Sequence, residues 1–71
     1  MLFTLNKKSR TTGKVIRCIA YRVYCESKKQ AIEIARNVYR INGEWLYAFH
    51  CLTLFPYGES GVYYTLSFRK K

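Results

Sequence analysis

The longest apolar stretch of the chain, residues 44–55 (EWLYAFHCLTLF), sorts into two different faces when it is read as a strand. Alternate positions on one side are aliphatic with one histidine among them: Leu46, Ala48, His50, Leu52 and Leu54. The other side is mainly aromatic: Trp45, Tyr47, Phe49, Cys51, Thr53 and Phe55. The pattern therefore predicts a central strand that packs its aliphatic face on a covering layer and leaves a row of rings on the opposite side.

Three further segments have strand patterns. Residues 2–8 alternate loosely between apolar and polar positions, and residues 15–25 are β-branched and aromatic, although Arg17 is a misfit on the side expected to meet the core. Residues 62–69 alternate cleanly after a turn-forming run at residues 56–61. Polar residues and Gly13 between the first two strands predict a hairpin loop.

One segment has a helical pattern. Ser27 and Gln30 have the spacing of a capping box, which predicts a helix from residue 28 to about residue 42. Its apolar positions recur at helical spacing: Ala31, Ile34, Ala35, Val38 and Ile41. Asn42 and Gly43 are expected to end the helix, because both tolerate the left-handed conformation.

The element order predicts an α+β fold, ββαββ, with residues 1–71 forming a single domain. We expect a four-stranded, mainly antiparallel sheet in the order 2-1-3-4, with one amphipathic helix on one face. Following the chain direction, the first hairpin and the last residues of the fourth strand should meet at the same end of the sheet, and Glu59 should fall at the far end. A core of this size gives marginal stability, so a homodimer or a bound partner is left open.

The charge of the chain points to an acidic partner. Lysine and arginine number 13 against 4 acidic residues, for a formal charge of +9, which favours a nucleic-acid backbone, an anionic membrane surface or an acidic protein as partner. The expected grouping of cations at one end gives these phosphate-binding candidates: Lys7, Lys8, Arg10, Lys14, Arg36, Arg40, Arg69, Lys70 and Lys71.

Aromatic residues offer a second kind of contact. Trp45 and Tyr47 on the central strand, joined by Tyr63 on the neighbouring strand, are candidates for stacking on unpaired bases. The alternative is that these rings pack under a loop, a dimer partner or each other. Rings outnumber the Asn and Gln residues that read adenine in the major groove, so RNA or single-stranded nucleic acid is favoured over duplex DNA.

The cysteines and the single histidine give no metal signature. Cys18, Cys25 and Cys51 lack a C-x-x-C spacing, and an odd number of thiols indicates a reducing compartment. Neighbours His50 and Cys51 would point to opposite faces of a strand, which argues against a zinc cluster, and no cofactor is expected.

The amino end lacks the order of a secretory signal and no run is long enough to span a membrane, so the sequence predicts a cytoplasmic protein without membrane contact.

The hairpin and helix together resemble part of a known family. Residues 4–24 (TLNKKSRTTGKVIRCIAYRVY), followed by residues 27–35 (SKKQAIEIA), are similar to the strand, hairpin and helix of the amino-terminal DNA-binding domains of phage-type integrases. In that family a face of the sheet enters the major groove of DNA. By fold analogy, the resemblance implies the same mode of binding for this chain. The resemblance covers about half of this chain. The chain also departs from the family, which usually has three strands before its helix and no second hairpin after it.

The sequence as a whole favours a small, non-enzymatic nucleic-acid-binding protein. The first alternative is an accessory factor of a virus or mobile element that binds an acidic surface of a host protein through the same charges and rings. The second is a metal-free ribonuclease with His50 or Glu44 as base, although no residue pair at a fixed spacing supports it.

Overall fold

A computed structural model describes residues 1–48 and 51–70, which form one antiparallel sheet with a helix on one face. Along the described chain the elements are β1 (Leu2–Ser9), β2 (Val15–Tyr24), α1 (Lys28–Asn37), β3 (Leu46–Ala48), β4 (Cys51–Leu54) and β5 (Val62–Arg69). The strands lie in the order β2-β1-β5-β4-β3, and every neighbouring pair is antiparallel. The α+β class is therefore confirmed. None of the helical residues in the described ranges forms a segment with the length and apolarity that a membrane crossing needs.

The predicted central strand is in fact a hairpin, so the four-strand count and the ββαββ order are wrong. Residues 44–55 contain two short strands, β3 and β4, with Ala48 and Cys51 as cross-strand partners. The hydroxyl of Thr53 donates a hydrogen bond to the carbonyl oxygen of Ala48 at 3.0 Å, which ties the two strands together. The chain reverses between Ala48 and Cys51. The predicted strand positions of Phe49 and His50 lie outside the described residues.

The additional reversal inverts the direction of every later strand. β5 lies beside β1 and antiparallel to it, with Val62 opposite Ser9 and Arg69 opposite Leu2. The expected order 2-1-3-4 is therefore wrong, because the last strand occupies the place next to β1. We call the end of the sheet with the β1–β2 hairpin and the β4–β5 loop the hairpin end, and the end with Arg69 the terminal end. The prediction that the first hairpin and the last residues of β5 share one end is also wrong.

The same reversal exchanges the faces of the first half of the predicted central strand, whereas Leu52 and Leu54 keep the predicted face. The core lies between α1 and one side of the sheet, here called the helix face, and its fully buried side chains include Phe3, Leu5, Ala31, Ala35, Leu54 and Leu66. Tyr47 is opposite Leu52, which is opposite Leu66, so Tyr47 belongs to the helix face. Leu46 is opposite Thr53 on the far face of the sheet and is 51% exposed. The prediction that Leu46 packs under the helix while Tyr47 faces away is wrong.

Helix α1 begins as predicted and ends five residues early. The Ser27 hydroxyl accepts a hydrogen bond from the Gln30 amide at 3.1 Å, and the Gln30 side chain accepts one from the Glu26 amide. After Asn37 the chain leaves the helix, and Arg40 takes the left-handed conformation with φ of 60°. Gly43 therefore does not end the helix. It has φ of 146° and packs on Leu54, where a Cβ atom would come within 3.1 Å of the leucine side chain.

Candidate nucleic-acid interface

A cleft of 720 Å³ opens on the helix face at the hairpin end. Ten residues of helix are about 15 Å long, whereas the eight residues of β1 extend for about 26 Å. Because α1 starts at the terminal end, it leaves uncovered the strip of the helix face nearest the hairpin end. Two segments form the walls of this strip, residues 38–42 after the helix and residues 56–59 between β4 and β5.

The floor of the cleft carries two cations side by side. Lys7 of β1 is directly opposite Arg17 of β2 on one side and Tyr64 of β5 on the other. Like charges on directly opposed strand residues destabilise a sheet. Arg40, which has a left-handed backbone and is exposed, lines the same cleft. Three cations therefore surround one cavity.

Glu59 is the acid of the cleft, and both of its carboxylate oxygens are engaged. Lys7 Nζ lies 3.0 Å from Oε2, and the Tyr64 hydroxyl donates to Oε1 at 3.0 Å. The hydrogen bond from Lys7 and then that from Tyr64 lower the pKa of Glu59, and the same bond to Glu59 raises the pKa of Lys7. Burial, followed by the bond to Glu59, raises the pKa of Tyr64. Within residues 1–48 and 51–70 this is the one ion pair, so Arg17 and Arg40 have no acidic partner there.

Aromatic side chains border the cations. Tyr57, in the wall between β4 and β5, is 95% exposed, and Tyr39 stands in the wall that follows α1. An exposed ring beside cations is an arrangement that can stack a base next to groups that can bind phosphate. Neither Arg17 nor Tyr57 was predicted from the sequence as a site residue. A signal for Arg17 was present, because it interrupts the apolar pattern of the second strand.

The predicted phosphate candidates divide between the two ends of the sheet. Lys7 and Arg40 line the cleft, and Lys8, Arg10 and Lys14 lie in or beside the hairpin at the same end. Arg69 and Lys70 lie at the terminal end, and Lys71 is outside the described residues. Arg36 is exposed in the last turn of α1. The expectation of a single basic end is therefore wrong, as is the placement of Glu59 away from it.

The three stacking candidates do not form one row. Trp45 packs against the core from the helix side, and Tyr47 is 73% exposed on the edge strand β3. Tyr63 lies on the far face and is 9% exposed, with its ring centroid 5.7 Å from that of Phe55. Arg10 places its guanidinium 5.0 Å above the Phe55 ring, so this aromatic pair is covered by a cation from the hairpin.

The residues considered for metal binding and catalysis are dispersed. Cys18 is exposed, Cys25 is buried and Cys51 is half-buried, and all three are free thiols. Across the described ranges, no three His, Cys, Asp or Glu side chains come together in a way that could hold a metal ion. His50, the candidate base of the ribonuclease alternative, lies outside those ranges, and Glu44 is exposed in the segment before β3.

No family model, curated protein or solved structure matches the chain. The similarity to integrase DNA-binding domains therefore has no support beyond the residues that carry it. What the protein binds has to follow from the chemistry of the cleft and of the cations around it.

Proposed function

We propose that the protein binds nucleic acid and that it holds an unpaired RNA or DNA strand in the cleft at the hairpin end. The observation that carries the proposal is the meeting of Lys7, Arg17, Arg40 and the exposed ring of Tyr57 around one cavity. The volume of 720 Å³ lies within the range of pockets that hold small organic ligands, so a nucleotide fits.

Backbone phosphates would supply most of the affinity. Arg17 and Arg40 have no acidic partner among the described residues, so each is available to neutralise a phosphate and release a condensed counterion. Lys14 in the adjacent hairpin extends the positive surface beyond the cleft, whereas the guanidinium of Arg10 lies over the Phe55 ring on the far face. Such contacts hold the backbone without reading its sequence.

The shape of the cleft favours a single strand over a duplex. Lys7, whose side chain is 28% exposed, lies on the floor between the segment after α1 and the β4–β5 loop. A flexible strand can enter between these walls and turn a base onto Tyr57, whereas a stiff duplex would meet the walls first. This observation replaces the aromatic row as the reason for favouring RNA or single-stranded nucleic acid.

Fluorescence anisotropy of labelled oligonucleotides of about 12 nucleotides tests the proposal. We expect binding to oligouridylate and oligothymidylate, and weaker binding to a duplex of the same length. With four or five phosphate contacts, the logarithm of the association constant should fall against the logarithm of salt concentration with a slope of about −3.

A polyglutamate of matched length serves as the control polyanion. Tighter binding to polyglutamate than to either single strand would favour the alternative in which the protein binds an acidic protein surface. Absence of single-strand binding at low salt, or tighter binding to the duplex, would contradict the proposal.

A further inference from the structure

The position of Glu59 indicates what the cleft is built to hold. A loop residue between β4 and β5, it reaches into a cavity that three cations line, and it is the acidic residue of that lining. Its two oxygens accept from Lys7 Nζ and from the Tyr64 hydroxyl, each at 3.0 Å. A carboxylate of the protein itself is thus bound to Lys7 and Tyr64 inside the cleft.

The groups around Glu59 form a row across three strands. Tyr64 of β5, Lys7 of β1 and Arg17 of β2 are successive cross-strand neighbours on the same face. This row presents a hydroxyl, an ammonium and a guanidinium, all of which can donate hydrogen bonds to an anion. The carboxylate engages the first two donors and leaves the guanidinium without an ionic partner in the described part of the chain.

A phosphate group matches this row better than a carboxylate does. Its oxygens are arranged as a tetrahedron, so one group can contact two donors and still direct an oxygen to the third. Arginine binds phosphate with paired, charge-assisted hydrogen bonds. Both a diester of the backbone and a terminal monoester, which carries up to about two negative charges, have this chemistry.

We propose that the carboxylate of Glu59 occupies the binding position, here called the phosphate seat, of a nucleic-acid phosphate. The phosphate displaces the carboxylate and binds Lys7, Tyr64 and Arg17. This inference rests on the proposed function. Solvent-exposed ion pairs are weak, and the side chains of Lys7 and Glu59 are 28% and 46% exposed, so breaking this ion pair costs little. Glu59 is then an internal competitor that sets the affinity of the cleft.

Tyr64 makes the exchange selective for anions. Its side chain is 8% exposed, and departure of Glu59 alone would leave the hydroxyl without its acceptor. An incoming phosphate restores both the acceptor for Tyr64 and the negative charge beside Lys7, whereas an uncharged ligand restores the acceptor at most. The cleft should therefore favour the exchange of one oxyanion for another over the binding of neutral ligands.

The test compares two variants with the same change of charge. Glu59→Gln removes the internal carboxylate, and Glu33→Gln removes an exposed acid on α1 outside the cleft. We expect Glu59→Gln to tighten binding of the oligothymidylate by about fivefold relative to Glu33→Gln. Adding Tyr64→Phe to Glu59→Gln should remove most of this gain, and thermal unfolding confirms that each variant is folded.

Oligonucleotides with a 5′-phosphate or a 5′-hydroxyl identify the source of the phosphate. A larger gain for the 5′-phosphorylated strand assigns the phosphate seat to a terminal monoester, and an equal gain assigns it to a backbone diester. Equal affinities of folded Glu59→Gln and Glu33→Gln for both strands, with the wild-type protein binding them, would overturn the inference alone. Failure of the wild-type protein and both variants to bind any strand would instead overturn the proposed function.

Discussion

Replacing Arg17 with threonine and Arg40 with asparagine should weaken single-strand binding by about 25-fold at about 0.1 M salt. Each phosphate contact on a single strand contributes about 0.7 to the salt slope, so two lost contacts make the slope shallower by about 1.4. Threonine suits the strand position of Arg17, and asparagine tolerates the positive φ of Arg40. Anisotropy titrations over a salt series measure both the affinity and the slope.

A matched variant separates the cleft from the general charge of the molecule. The double variant with Lys29→Gln and Arg36→Gln also removes two positive charges, in this case from exposed positions on α1. We expect this control to lose less than about threefold in affinity, because screening at this salt concentration limits distant charges. Equal losses in the two double variants would show that net charge, and not the cleft, determines binding.

Replacing Leu54 with alanine should destabilise the protein by about 2–5 kcal/mol, whereas Leu46→Ala should cost less than about 0.5 kcal/mol. Leu54 is fully buried on the helix face, and Leu46 is 51% exposed on the far face. A chain of this length has a total stability of about 4–10 kcal/mol, so Leu54→Ala should be largely unfolded in moderate urea. Urea unfolding followed by Trp45 fluorescence measures the difference.

The two leucines also test the β3–β4 reversal. In one continuous strand they would share a face, and their replacement would have comparable costs. In the hairpin they lie on opposite faces, which gives the large difference expected above. Comparable losses of stability would therefore reinstate the single strand and would remove the basis for the direction of β5.

Local sequence patterns predicted the elements that begin or end at recognisable turn or capping residues. Gly13 and its polar neighbours located the first hairpin, and the capping box located the start of α1. The reversal between β3 and β4 has no such signal, because residues 48–51 (AFHC) contain no glycine, proline or asparagine. An unbroken apolar run with two-residue periodicity is equally consistent with one long strand and with a tight hairpin of two short ones.

One missed reversal changed the site more than it changed the fold class. It inverted β5, which moved Arg69 to the terminal end and brought Glu59 to the hairpin end beside Lys7. The cleft also depends on α1 ending at Asn37 instead of residue 42, which tertiary packing decides and periodicity does not. Two cations of the cleft, Lys7 and Arg40, were thus identifiable from charge alone, while their grouping around one cavity was not.

Mapping of backbone amide shifts during titration with oligothymidylate locates the binding surface, because each amide reports on its own surroundings. Binding in the cleft predicts that the largest changes occur at Lys7, Arg17, residues 38–42 and residues 57–59, on the helix face at the hairpin end. Changes concentrated at Arg69 and Lys70, or on the far face around Thr53 and Thr65, would contradict it.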